Sequence, residues 1–159
     1  MPFTIREYGP SDFNRLCQIE KICFPPGLAY TPELLHSYIG RRGAFSLVAG
    51  PDGKGTEILG FLIGQHERAT VGHVVALDVE PAARRCGLAA QLLRAAEQRL
   101  ARLGCRQVVL ETAVTNEAAQ KFFRKMGYVV LRTLPGFYAS HALDALLMGK
   151  RLPRLPNAG

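Results

Sequence analysis

The stretch Gly72–Leu93, GHVVALDVEPAARRCGLAAQLL, decides the fold. Val74-Val75-Ala76-Leu77-Asp78-Val79 is a short, β-branched apolar run and predicts a buried strand. Pro81 has no N–H for a ladder, so the strand ends by Glu80. Arg84-Arg85-Cys86-Gly87-Leu88-Ala89 follows, and the run beyond it carries Leu88, Leu92, Ala96, Leu100 and Leu103 on one helical face. The order is therefore strand, basic glycine-containing turn, helix. Such a turn aims backbone N–H groups, and the positive end of the helix dipole, at an anion. Gly87 and Ala89 keep bulky side chains out of the turn, and Arg84 and Arg85 add charge beside it. The stretch reads as a pyrophosphate cradle; the plainer alternative is a β-to-α turn with its arginines in solvent. Neither G-x-G-x-x-G nor G-x-x-x-x-G-K-[ST] is present. Gly53-Lys54-Gly55-Thr56 looks faintly like the end of the latter, but its polar setting between two strands makes it a hairpin turn.

Outward from this stretch the chain alternates strands and helices. Thr4 to Glu7 predicts a first strand, and Ser11 caps a helix running to about Cys23 with Phe13, Leu16, Cys17 and Phe24 on its stripe. Glu20 lies on the same face, at the rim of the core or in a cleft wall, and the rim is the expectation. Phe24-Pro25-Pro26-Gly27-Leu28-Ala29-Tyr30 is a loop, and Thr31-Pro32-Glu33 opens a second helix. Ala44 to Ala49 and Ile58 to Gln65 predict two strands. Gly104 closes the long helix, Gln107 to Thr112 is a strand, and Asn116 to Met126 is a helix with Ala119, Phe122, Phe123 and Met126 inside. Gly127 to Val130 and Leu143 to Lys150 complete a mixed α/β sheet, partly antiparallel. Residues 1–151 are expected to form one domain, with 152–159 a disordered tail.

Composition narrows the function. The 159 residues, 48% hydrophobic and 21% charged, are those of a soluble globular domain with a core of its own. No apolar run is long enough for a membrane span and no signal-peptide layout is present, so a cytoplasmic protein without membrane contact is expected. Cys17, Cys23, Cys86 and Cys105 form no C-x-x-C pair and have no histidine at ligand spacing, so no metal is expected. Residues 81–159 hold 13 Lys and Arg against 4 Asp and Glu, a balance of +9, while the whole chain carries +7. The positive charge sits in the half with the proposed phosphate turn, where it would gather an anionic ligand. Nucleic acid is a rival explanation, but the basic residues interleave with few aromatics and no nucleic-acid-binding motif is present.

Arg84-x-x-Gly87-x-Ala89, set between a strand ending in Val and a long helix, resembles the acetyl-coenzyme A motif of the GNAT acetyltransferase superfamily. Leu110-Glu111-Thr112, Asn116 and Phe122-Phe123-Arg124-Lys125-Met126-Gly127-Tyr128 resemble the family's next conserved block. Pro135-Gly136-Phe137-Tyr138 followed by Asp144-Ala145-Leu146-Leu147-Met148, with Gly72-His73 and Phe24-Pro25, is similar to a narrower group. That group is the protein N-terminal acetyltransferases, including the ribosomal-protein alanine N-acetyltransferases. The resemblance implies one α/β domain with a mixed, largely antiparallel sheet and helices on both faces. It implies acetyl-CoA as co-substrate and an amine acceptor, with a protein or peptide N-terminus the first expectation. It places Leu77, Asp78 and Val79 along the pantetheine arm and Arg84, Arg85, Cys86, Gly87, Leu88 and Ala89 at the pyrophosphate. Asn116, Ala119, Phe122, Phe123 and Lys125 flank the coenzyme, and Phe24, Pro25, Tyr30, Phe137 and Tyr138 line the acceptor slot.

Two positions depart from the family. Phe123 stands where the family has the Tyr usually assigned to protonate the leaving thiolate, and Phe137 replaces the first Tyr of the pair. A coenzyme thiol near the cysteine pKa of about 8.5 leaves tolerably as a thiolate, so activity is expected to survive. Glu111 sits where the family's general base would be, and His73 is a second candidate because it titrates near neutrality. Backbone N–H groups around Val79, where the strand splays from its neighbour, are expected to stabilise the oxyanion. A small-molecule amine, a lysine side chain, or acyl-CoA binding without catalysis remain alternatives. The sequence leaves the oligomeric state open.

Overall fold

The predicted central strand is β4 (Val71–Val79) in a computed structural model of the chain, which is described over residues 2–53, 55–138 and 142–154. Before it come β1 (Phe3–Glu7), α1 (Phe13–Cys23), α2 (Pro32–Ile39), β2 (Ala44–Pro51) and β3 (Gly60–Arg68). After it come α3 (Leu88–Arg102), β5 (Gln107–Ala113), α4 (Glu117–Lys125), β6 (Val129–Tyr138) and β7 (Leu143–Arg151). The strands form one seven-stranded sheet in the order β1-β2-β3-β4-β5-β7-β6. Among the described residues, β4 and β5 pair in parallel and the other neighbouring pairs are antiparallel.

The two faces of the sheet carry different helices. On one, α3 buries Leu88, Leu92, Leu93, Ala96 and Leu100 against Leu62, Val74, Val108 and Leu110. Each fully buried leucine contributes about 1.5–3 kcal/mol, so this face holds much of the stability. Glu97 is buried here as well, accepting Tyr128 Oη–H at 2.7 Å and Lys150 Nζ–H at 3.0 Å, which satisfies its charge. On the other face, Leu16, Ile19 and Leu35 of α1 and α2 pack on Val48, Phe61, Ile63 and Ala76.

Several local expectations are corrected. Ser11 does not cap α1: Pro10–Asp12 forms a 3₁₀ turn, and the Asp12 carboxylate bonds Gly9 N–H at 2.8 Å and Arg6 at 2.9 Å. Leu103 is 48% exposed, because α3 ends at Arg102 and Gly104 leaves it at φ +94°. β6 extends to Tyr138, so the Pro135–Tyr138 segment lies on a strand. Leu152 is tied to the body through its N–H on Arg106 O at 2.9 Å and packs on the α3 face; residues 155–159 of the expected tail lie outside the described residues. Lys54 of the hairpin turn is likewise outside them, although Gly53 and Gly55 take positive φ as such a turn requires.

Candidate functional site

The site begins where β4 and β5 part. Their pairing covers only Val71 to His73 on β4, so the sheet opens beyond His73, well before Val79 where the splay was expected. A β-bulge lies next to the opening: Gly64 pairs with Val74 and Ile63 with Ala76, leaving Val75 without an opposite residue. Val75 and Ala76 consequently both pack toward α1 and α2, whereas Val74 packs toward α3. Glu80 N–H bonds Leu59 O at 2.8 Å, so alternation along the strand turns the main-chain groups of Leu77 and Val79 away from β3, toward the opening. The Val79 carbonyl is already engaged there, accepting Arg84 Nε–H at 3.0 Å and the Cys23 thiol at 3.4 Å.

At the C-terminal end of β4 the basic turn has the predicted form. Arg85 (φ +67°) and Gly87 (φ +84°) are both left-handed, and α3 starts at Leu88. The first-turn amides of Leu88, Ala89 and Ala90 have no acceptor within the helix by its geometry. A Cβ placed on Gly87 would meet nothing within 4 Å, so the turn is open at that position. Arg85 and Cys86 are exposed on the turn. The Arg84 guanidinium folds back onto Val79 O and lies 3.5 Å from Cys23 Sγ, so it fastens the turn to the strand. The Cys86 thiol closes the turn from within by donating to Ala83 O at 2.7 Å.

On the α1–α2 side of the opening, His73 Nε2 lies 2.8 Å from Glu111 Oε1. Both side chains are over four-fifths buried. The pair forms because His73 and Val109 are register partners and β5 presents Val109 and Glu111 to the face opposite Val108 and Leu110. His73 Nδ1 lies 3.7 Å from Glu67 Oε1. Burial, the largest single influence on His73, lowers its pKa; the hydrogen bond and charge of Glu111 and the charge of Glu67 outweigh it, so the net value lies above the ordinary one.

Tyr30 bridges the α1–α2 loop to this opening, donating its hydroxyl to Val75 O at 3.2 Å and its N–H to Glu20 Oε2 at 2.9 Å. Burial pushes the Tyr138 hydroxyl up to about 12, with the charges of Glu111 and Glu20 adding to it. Burial likewise raises Tyr30, with Tyr38, Tyr138, Glu20 and Glu111 nearby. Tyr30, Tyr138, His73 and Glu111 thus come together. Phe137 is 46% exposed with its ring edge-on to Tyr138, Phe24 terminates α1, and Pro25 is exposed at the following turn.

Glu20 is 1% exposed, which corrects the expectation that it lies at the rim. It meets Asp78 of β4, itself 2% exposed. Glu20 Oε1 and both Asp78 carboxyl oxygens have no other hydrogen-bond partner among the described residues. Two sealed carboxylates in contact cannot both stay charged, so burial first, and then Glu20, hold Asp78 well above the usual carboxylate range. Asp78 therefore turns toward α1, not along the opening.

On the other side, Asn116 caps α4 by accepting Ala119 N–H at 3.1 Å, and buried Gln120 bonds Ala113 O and Val114 O at 3.1 and 3.0 Å. Phe123 is 8% exposed and packs edge-on against Phe122 and Tyr128, while Lys125 is exposed at the far end of α4 from Asn116. The sequence reading missed Glu67, Gln120 and the bulge at Val75. Nothing in Glu67's surroundings marks it, since its significance comes only from a neighbouring strand; the Val74-Val75 doublet carries no bulge signal. No His, Cys, Asp and Glu cluster of metal-binding size occurs among the described residues, and no described helix is long and apolar enough to cross a membrane.

The acetyltransferase (GNAT) family pattern matches residues 13–128. An uncharacterized N-acetyltransferase of Methanocaldococcus jannaschii is 29% identical over 94% of this chain and 92% of its own. The catalytic subunit NAA20 of the N-terminal acetyltransferase B complex of Arabidopsis thaliana is 30% identical over 95% of this chain and 86% of its own. Among solved structures, Ard1 from Thermoplasma volcanium superposes with a TM-score of 0.86 at 24% identity, covering 97% of this chain and 100% of that one.

Proposed function

The chain belongs to the GNAT acetyltransferase family and is an acetyl-CoA-dependent N-acetyltransferase, and we propose that its acceptor is the α-amine of a protein or peptide N-terminus. The observation that carries this reading is the opened β4–β5 gap, with an amide-lined basic turn at the end of β4 and the His73–Glu111 pair beside the opening.

Acetyl-CoA, the second substrate, supplies an acyl group activated as a thioester. The amides from Arg85 to Ala89 hold its pyrophosphate, and the main-chain groups of Leu77 and the N–H of Val79 guide its pantetheine arm. Arg84 contributes by fixing the turn. Glu111 accepts the proton of the attacking amine, directly or through a water, and His73 orients the carboxylate. Tyr30 and Tyr138 form the walls of the acceptor slot. Release of the coenzyme thiolate proceeds without a side-chain hydroxyl at position 123, where Phe123 is packed into the core.

The acceptor follows from magnitudes. An α-amine with pKa near 8 is roughly one-tenth neutral at pH 7, whereas a lysine amine near 10.4 is neutral in only about one molecule in 2,500. One carboxylate base suits the first far better. The name of the Arabidopsis relative agrees with an N-terminal acceptor. Thiol release from acetyl-CoA, followed with N-terminal peptides, N-blocked lysine peptides and small amines, tests the reading. Peptides with a free N-terminus should react fastest; faster reaction with blocked lysine peptides or with small amines would overturn it.

A further inference from the structure

We propose that Glu67 on β3, facing the ring nitrogen of His73 that Glu111 does not, is a positioning residue that sets how readily the His73–Glu111 pair becomes a base. The inference rests on the reading of that pair as the base, and names one residue outside it.

The geometry is a clamp. One carboxylate faces each ring nitrogen of His73: Glu111 at 2.8 Å from Nε2 and Glu67 at 3.7 Å from Nδ1. A protonated imidazole donates at both nitrogens, whereas a neutral one donates at only one. Two carboxylates therefore hold the imidazolium form. While it persists, Glu111 is one half of an ion pair and a weak proton acceptor. Once the Nδ1 proton leaves to solvent beside Glu67, His73 keeps its Nε2–H on Glu111 Oε1, and the second carboxylate oxygen takes the proton of the attacking amine. The C–N bond forms as the C–S bond breaks, the electron pair leaves with the coenzyme sulfur, and no other reactant is needed.

Among the described residues, Glu67 from β3 and Glu111 from β5 face the ring, and the charge of Arg41, in the loop after α2, acts on it in the opposite sense. Arg41 stacks at 4.9 Å on Tyr38, whose ring lies 5.1 Å from Tyr30 in the slot. Tyr30 and Tyr138 also face Glu111, but burial keeps their hydroxyls neutral over the working range. Glu67 raises the affinity of His73 for its proton and Arg41 lowers it. Both residues are exposed, the Glu67 side chain by 45%, so changing them leaves the packing around the buried pair intact.

The test combines a ¹H–¹³C NMR titration of the His73 ring with the pH profile of kcat/KM, for wild type, Glu67→Gln, Glu67→Asp and Arg41→Gln. Glu67→Gln should move the ring midpoint and the acid limb of the profile down together by about 0.3–1 pH unit, and Arg41→Gln should move both up. Glu67→Asp should retain part of the wild-type value. Because both charges are exposed, about 1 M salt should shrink the shifts. Coenzyme KM should stay constant. A ring midpoint that is unmoved in both variants, or moves the same way in both, overturns the clamp, as does a uniform fall in kcat at every pH. Ring midpoints that shift as described while the acid limb stays fixed overturn the link to catalysis, and locate the error in the base assignment.

Discussion

Glu111 Oε1 and His73 Nε2 meet at 2.8 Å across the parallel strand pair, at the last register position before the two strands separate. A strand pairing that ends there leaves a carboxylate oriented by an imidazole on the wall of the opening. Paired further along, β4 and β5 would close the space a substrate needs.

Glu111→Gln preserves the shape of that wall and removes its basicity. Turnover should fall by about 10²–10⁴-fold while the dissociation constant for acetyl-CoA stays within a few-fold of wild type. Steady-state kinetics paired with calorimetric titration of the coenzyme checks both. Unchanged turnover would remove Glu111 from the role of base.

Gly87→Glu should abolish coenzyme binding. Gly87 combines φ +84° with open space where its Cβ would stand, so a side chain there is strained by roughly 1–2 kcal/mol and projects bulk and like charge toward the phosphates. Gly87→Ala carries the strain without the charge and should weaken binding less. Calorimetry with CoA distinguishes the two; equal loss in both variants would mean that backbone conformation, not repulsion, dominates.

These two predictions came from motifs visible in the chain, and the reasons other features were hidden are physical. The strand–turn–helix around Gly87 was legible because Pro81, Gly87 and the leucine spacing each impose a local geometry. Glu20 was misplaced because a carboxylate on an apolar stripe is normally at the rim, and its partner Asp78 lies on a strand distant in sequence. The charge of Arg84 is visible in the sequence, whereas its reach to the Val79 carbonyl depends on how tightly the turn closes. Glu67 is hidden in the sequence because only the β3–β4 pairing, with its second register shift between His66 and Arg68, brings it to His73. Local rules read the strand–turn–helix; the His73–Glu111 pair and its neighbours are products of strand register.

Asp78 and Glu20 predict a pH dependence of stability. Burial and the neighbouring Glu20 raise the folded-state pKa of Asp78 above its unfolded value near 3.9. The folded protein then binds more protons than the unfolded chain between those two values, so stability declines as pH rises from about 4 through the folded value. Asp78→Asn removes that titration. Urea midpoints measured from pH 4 to 9 should fall less steeply for the variant and exceed those of wild type at the alkaline end. Parallel curves would show that another group titrates.

Phe123→Tyr returns a hydroxyl to the position where the family carries one. Phe123 is packed against Tyr128 and Phe122, and the coenzyme thiol, with a pKa of about 8.5, needs little help to leave. The kcat should change by less than about tenfold, below the roughly 10²–10⁴-fold that a general acid typically supplies. A gain of a hundredfold or more in single-turnover rate would show that protonation of the thiolate limits this enzyme.

The central claim is transfer to an α-amine. Its most direct measurement is tandem mass spectrometry of a single peptide carrying both a free N-terminus and an internal lysine, incubated with the protein and acetyl-CoA. Acetylation is expected at the N-terminal nitrogen with the lysine left unmodified; acetyl groups on the lysine nitrogen, or no acceptor-dependent transfer at all, would contradict transfer to an α-amine.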